Sequence, residues 1–212
     1  MGNYFDKLLS IAGEPLADCP PILDQAILNL AGNLGEKLAS LLTQKNGFYC
    51  FESALHIFPS GSSTHDISLE SWNSQQLWRK DYGSLAEKGL FFAEDIFGVQ
   101  FCILNNKIVT FDPETGDTEL IANNLENWAK CILDDYEFLT GFSFAHSWQQ
   151  RYGAIPPGKR LLPKIPFVLG GEFEIENLYV LDSIKGMQFR ADLARQIKDN
   201  PDGTKIKFKI VD

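Results

Sequence analysis

"FFAEDIFGVQFCILNNKIVTFDPETGDTELIA", residues 91–122, alternates apolar runs with two clusters of turn residues. The run at 91–104 reads as a strand. Asn105-Asn106 follows, and asparagine accepts the positive φ angles of a tight hairpin. "KIVTF" (107–111) then pairs back. The next ten residues, "FDPETGDTEL" (111–120), crowd acids around a Thr-Gly step. A calcium loop of the EF-hand type needs an oxygen ligand at its fifth position, glycine at its sixth and glutamate at its twelfth. Counting from Asp112, those places hold Gly116, Asp117 and Asn123, so the pattern fails. What remains is a second hairpin turn, with Gly116 supplying positive φ, followed by a short strand, "ELIA" (119–122).

Helices flank this sheet-forming stretch. Leu23, Ile27, Leu30, Leu34, Leu38, Leu41 and Leu42 recur at helical spacing. Gly32 and Gly35 invite a break there, and Asn46-Gly47 ends the helix. "FYCFESALHIFP" (48–59) reads as a strand and "SGSSTHD" (60–66) as a polar loop. "ISLESWNSQQLWRKDYG" (67–83) reads as a helix with Leu69, Trp72 and Leu77 inward. Downstream, Leu125, Trp128, Ala129, Ile132, Leu133 and Tyr136 share one helical face with Asn124 as N-cap. A second helix holds Phe142, Ala145 and Trp148. The Pro-rich stretch "GAIPPGKRLLPKIP" (153–166) is the internal boundary, dividing the chain into 1–152 and a C-terminal extension, 153–212, packed on the same core. In the extension, alternation from Glu172 through Glu176 predicts a half-buried strand, "MQFRADLARQIKD" a helix, Pro201 to Gly203 a turn, and "TKIKFKIV" a last amphipathic strand. The order of elements predicts an α+β fold, an antiparallel sheet packed with helices.

A chain of 212 residues buries a sizeable core, and 16 phenylalanines furnish it generously. No apolar run approaches the roughly 18 residues of a membrane span; the opening residues, "MGNYFDKLLSIAGE", predict neither a secretory signal nor, for want of the Ser/Thr that myristoylation expects, a lipid anchor at Gly2. Cys19, Cys50, Cys102 and Cys131 form no C-x-x-C pair, which predicts reduced thiols in a cytoplasmic protein. Charge is uneven. Residues 60–150 carry five basic and fourteen acidic groups, while 151–212 carry eleven and eight. An acidic middle repels a phosphate backbone, arguing against nucleic acid, and suits a basic protein partner.

Catalytic and metal motifs are lacking. His56, His65 and His146 show no zinc spacing. Ser60, Ser62, Ser63, His65 and Asp66 suggest a triad, yet there is no nucleophile elbow and a polar loop explains them. Gly170-Gly171 lacks a phosphate-loop context, and Glu172, Glu174 and Glu176 read as one solvated strand face. The expectation is therefore no catalytic residue, no metal and no cofactor.

"LGEKLASLLTQKNGFYCFESALHIFP" (34–59), "LFFAEDIFGVQFCI" (90–103) and "VTFDPETGDTELIANNLENWAKCIL" (109–133) together resemble the SUKH superfamily of Smi/Knr-like proteins. A helix ends in Asn46-Gly47 before a strand, Phe97-Gly98 lies in a central strand, and a turn leads into an acidic-aromatic helix from Asn123 to Leu133. None of these is a catalytic signature; their order carries the likeness, which spans roughly residues 20–145. The resemblance implies a bacterial, SUKH-like, non-enzymatic protein-binding module in the cytoplasm, of the immunity type that neutralises a cognate toxin. Candidate contacts to a basic toxin are Asp112, Glu114, Asp117 and Glu119 on the hairpin, with Asp134, Asp135 and Glu137 at the helix end. Trp72 and Trp78 are further candidate anchors. The alternatives are a housekeeping interaction or self-associating protein, and a small-molecule binder or enzyme whose site forms only in three dimensions.

Overall fold

A computed structural model describes residues 3–62 and 66–200. Six strands form one antiparallel sheet in chain order: β1 (Phe48–Cys50), β2 (Leu55–Ile57), β3 (Leu90–Glu94), β4 (Gln100–Leu104), β5 (Lys107–Phe111) and β6 (Thr118–Ala122). A separate two-stranded ribbon pairs β7 (Lys159–Pro163) with β8 (Leu178–Asp182). The fold is α+β.

Both faces of the sheet are covered, so β3 is buried at every position and shows no period-2 alternation. One face receives α2 (Gln25–Ala31), α3 (Gly35–Gln44) and α6 (Leu125–Asp134), with Trp128 of α6 set edge-on to Phe92 and Phe101. In front of α6 lies α1 (Tyr4–Ile11), whose Tyr4 N–H donates to the Glu126 carboxylate. The other face carries an aromatic layer. Phe58 stacks on Trp72, Trp78 stands edge-on to Phe91, and Tyr82 stands edge-on to Phe111. Over it lies α9 (Ser183–Asp199), whose Met187, Ala191 and Ala194 join the same buried core.

The predicted hairpins form. Asn105 and Asn106 take φ of 51° and 60°, Gly116 takes 73°, and Asn124 caps α6 by accepting from Asn127 N at 2.8 Å. The Gly32 break also forms, with φ 57°, and Asn106 Oδ1 accepts from Asn33 N at 3.0 Å across it.

Several expectations are corrected. The run 91–104 is two strands, because Asp95 Oδ1 accepts from Phe97 N and Val99 N, each at 2.8 Å, and folds residues 95–99 into a turn. Likewise 48–59 is two strands, turned by Phe51, Glu52 and Ser53, all at positive φ. The helix expected over 67–83 is interrupted. Its pieces are α4 (Leu69–Trp72), a π turn (Gln75–Arg79) and α5 (Lys80–Tyr82), with Leu77 in a non-helical conformation. That kink buries Trp78 where Leu77 was expected. Tyr136 opens the next helix, α7 (Tyr136–Thr140), ahead of α8 (Phe142–Tyr152). Glu172 to Glu176 is not a strand, and β8 begins only at Leu178. Within the Pro-rich stretch 153–166 lies β7, whose Arg160, Leu161 and Leu162 are buried. The predicted turn at 201–203 and the last strand lie outside the described residues.

Candidate functional site

The acidic hairpin closes through Asp112 N to Asp117 O at 2.9 Å and Gly116 N to Asp112 O at 2.7 Å. Asp117 is exposed at the turn, Glu119 is exposed on β6, and Asp112 is half-buried. Asp117 pairs with Lys198 of α9, and that hydrogen bond holds its carboxyl below the usual range. Glu114 departs from the surface reading. It is only 5% exposed, because Pro166 to Gly170 folds over the turn and Val168 N donates to its Oε2 at 2.9 Å. Its Oε1 is buried without a hydrogen-bond partner. Burial pushes this carboxyl up, against the pull of the Val168 amide, the Arg190 charge and the Phe167 amide.

At the helix end, Asp134, Asp135 and Glu137 are all exposed, with Asp134 paired to Lys130 one turn back. Phe138 stands 81% exposed immediately after them. Leu120, on the open edge strand β6, is 57% exposed beside Glu119. No hydrogen bond or ion pair joins the hairpin acids to the helix-end acids among the described residues. Trp72 and Trp78, by contrast, are fully buried and cannot anchor a partner.

A second constellation lies inside. A bulge between Phe91 and Ala93 shifts the β3–β4 register, so Glu94 faces Gln100 on the side of the sheet that carries Trp72. Its carboxylate meets His56 Nδ1 at 3.2 Å, Arg160 Nε at 2.9 Å and Gln100 Nε2 at 3.1 Å. The Arg160 contact is an ion pair; its Nε–H is not aligned for a hydrogen bond. His56 Nε2 lies 3.3 Å from Asp66 Oδ2, which also accepts from Tyr49 Oη at 2.6 Å. Tyr49 stacks on His56 at 4.4 Å, and the Arg160 guanidinium sits 5.4 Å over the Tyr49 ring.

Burial pushes the Glu94 carboxyl up, but the charge of Arg160 and the contacts of His56 and Gln100 outweigh it and hold it below the usual range. Asp66 follows the same balance, with His56 and Tyr49 prevailing over burial. Beside these groups is a cavity of about 340 Å³ lined by His56, Asp66, Trp72, Glu94, Asp182 and Ser183. Among the described residues no group of three or more His, Cys, Asp or Glu is placed to hold a metal ion. No helix of the described residues is long and apolar enough to cross a membrane, and Cys19, Cys50, Cys102 and Cys131 are free.

Sequence reasoning met His56 and Asp66 only as failed zinc and triad members, and passed over Glu94 and Arg160. The available signal was a pair of acids between apolar residues, Ala93-Glu94-Asp95-Ile96, which a segment buried on both faces tolerates only with partners. Of the five apparent triad residues, Ser60 accepts from Ile22 N and donates to Glu70, while Ser63 and His65 lie outside the described residues. They are not shown converging.

No family model matches the chain, and no curated protein matches it. Among solved structures, the crystal structure of Atu4351 from Agrobacterium tumefaciens is similar over 88% of this chain and 88% of that one, with a TM-score of 0.59. The two sequences are 14% identical. That likeness extends to the fold alone.

Proposed function

We propose that the protein is a SUKH-like, non-enzymatic binding module of the immunity type, acting in the cytoplasm on a basic toxin. One observation carries this reading: Phe138 projects from a surface whose neighbours in the chain, Asp134, Asp135 and Glu137, are exposed acids. An exposed aromatic is an anchor for a partner's pocket, and the acids supply the steering and the polar rim. A large side chain left this open gains little for the fold itself.

The test is capture of partners from the native host at low and at moderate salt, using the native chain and Phe138→Ala. We expect one basic protein in stoichiometric amount, toxic when expressed without this chain. Its affinity should fall about tenfold or more in Phe138→Ala, with the unfolding midpoint unchanged. Capture of the bait alone, or a partner indifferent to the substitution, would overturn the reading.

The cavity beside His56 favours a second reading, a small-molecule binder, because it gathers convergent buried polar groups. A melting-temperature screen against a metabolite panel checks it. A compound that raises the midpoint of the native chain but not of Ser183→Ala supports the reading, and a flat screen assigns the cluster to stability alone.

A further inference from the structure

The two edges of the six-stranded sheet differ. At β1 the chain covers its own edge, with Gly13 N donating to Tyr49 O at 2.8 Å and Leu16 N to Gly47 O at 2.9 Å. At β6 nothing corresponds. Among the described residues no backbone group outside β5 is bonded to Thr118, Glu119 or Leu120, and all three are exposed. Such an edge offers a row of unpaired N–H and C=O groups to any strand that reaches it.

The last helix delivers the chain to that edge. Glu94, Gln100, Phe111 and Thr118 are successive Cα partners, forming one row across β3, β4, β5 and β6. Helix α9 follows the row. At its start Ser183 Oγ donates to Glu94 Oε1 at 3.4 Å, and one turn on Met187 Sδ accepts from Gln100 Nε2 at 3.8 Å. Near its end Lys198 pairs with Asp117, the residue before β6. Ser183 to Lys198 spans about 23 Å of helix, against about 14 Å for three strand spacings. The helix thus carries the chain past the last strand. Residues 201–212 lie outside the described residues, but their sequence is informative. After the turn signal at Pro201-Asp-Gly203, Lys205, Lys207 and Lys209 alternate with Ile206, Phe208 and Ile210.

We propose that residues 204–211 of this chain dock on β6 as a seventh strand. Reach selects the place and the direction. Residues 200–203 span at most about 14 Å, while β6 is about 17 Å long, so the segment starts at the Thr118 end and runs parallel to β6. The β7–β8 ribbon, whose β8 leads into α9, lies at the far end of that helix and beyond this reach. The two faces select the register. Leu120 and Thr118 share the side of Phe111 and α9, where Leu120 is 57% exposed, and Glu119 lies on the opposite side. With Ile206, Phe208 and Ile210 on the Leu120 side, the three lysines fall on the Glu119 side, where opposite charges attract. A second copy of the edge is a poorer occupant, since it brings a like-charged hairpin to a chain of net charge −9. The docking does not depend on the partner reading above.

The test is NMR on the full chain. We expect nuclear Overhauser contacts from the Leu120 methyls to Ile206, Phe208 or Ile210. The outward-facing amides of Thr118 to Leu120 should exchange at least about tenfold more slowly than an unpaired edge allows. Ile206→Pro removes a ladder donor and should restore fast exchange there, with β4 protected as before. Glu119→Lys, at an exposed position, sets like charge against the lysines and should lower the protection about threefold or more. Unprotected β6 amides in the native chain without those contacts would overturn the proposal, as would protection that survives Ile206→Pro. Protection that rises with protein concentration, together with a dimer mass in sedimentation, would overturn it in favour of a second copy on the edge.

Discussion

Replacing Arg160 with alanine should cost the protein roughly 3–5 kcal/mol, the largest loss we expect from a single substitution. Arg160 is the buried cation that faces Glu94 at 2.9 Å. Its removal leaves Glu94 with the His56 contact, the Gln100 amide and the Ser183 hydroxyl as compensation, and opens a void where the guanidinium lay over Tyr49. Urea unfolding measures the loss as a fall in midpoint at unchanged slope. Acidity supplies an internal check. Arg160 and His56 hold the Glu94 carboxyl below its unfolded value, so this group contributes stability that is present above the unfolded pKa and is lost as pH falls through the folded one. The variant has less of that contribution to lose. Its deficit should therefore narrow on acidification below about pH 5. A deficit that stays constant down to pH 3 would show that the void, and not the charge, sets the cost.

Asp95→Asn should act in the opposite direction, stabilising the protein at pH 8 by roughly 2 kcal/mol. Burial pushes the Asp95 carboxyl up to about 7, although two backbone amides and the charges of Arg160 and Arg190 pull the other way. With its folded pKa raised, Asp95 binds its proton in the native state across the interval from about 4 to about 7, where the unfolded chain has released it. Stability from this group is thus full below the unfolded value and declines as pH rises through about 7. The gap between the ordinary 3.8 and about 7 sets a ceiling of about 4 kcal/mol. Asparagine retains the Oδ1 that accepts from Phe97 N and Val99 N, but must house an amide in a buried place, which lowers the gain. Unfolding midpoints at pH 5 and pH 8 test this. The variant should match the native chain at the lower pH and exceed it at the higher, and a variant weaker at both would place the ionised form in a fully compensated site.

Those two acids, adjacent in sequence and opposite in behaviour, show where the sequence stops being legible. Turns announced themselves where a residue type was required, as at Asn105-Asn106 and Gly116, and the amphipathic face of α6 was plain because one side of it meets water. The turn at 95–99 was hidden because β3 and β4 are buried on both faces, so their apolar residues carry no period-2 alternation to mark where one strand ends. The kink at Leu77 was hidden for a different reason. Tertiary packing of Trp72 and Trp78 against the aromatic layer overrides a locally acceptable helix. The candidate site was legible only in its exposed acids. Asp134, Asp135 and Glu137 are surface acids as read, whereas Glu114 is covered by a segment more than fifty residues away, which spacing within the hairpin cannot reveal. The Glu94–Arg160 pair is likewise a product of assembly.

That late arrival of Arg160 bears on how the molecule is made. The sheet is a meander in which each strand pairs with the one just synthesised, so its registers can set while the chain is still being extended. Glu94 and His56, however, must wait for β7 to emerge, and the aromatic layer must wait for α9. Until then a nascent chain holds a finished sheet with uncompensated charges and an open greasy side. That face stays open until the last helix, α9, is made and closes it.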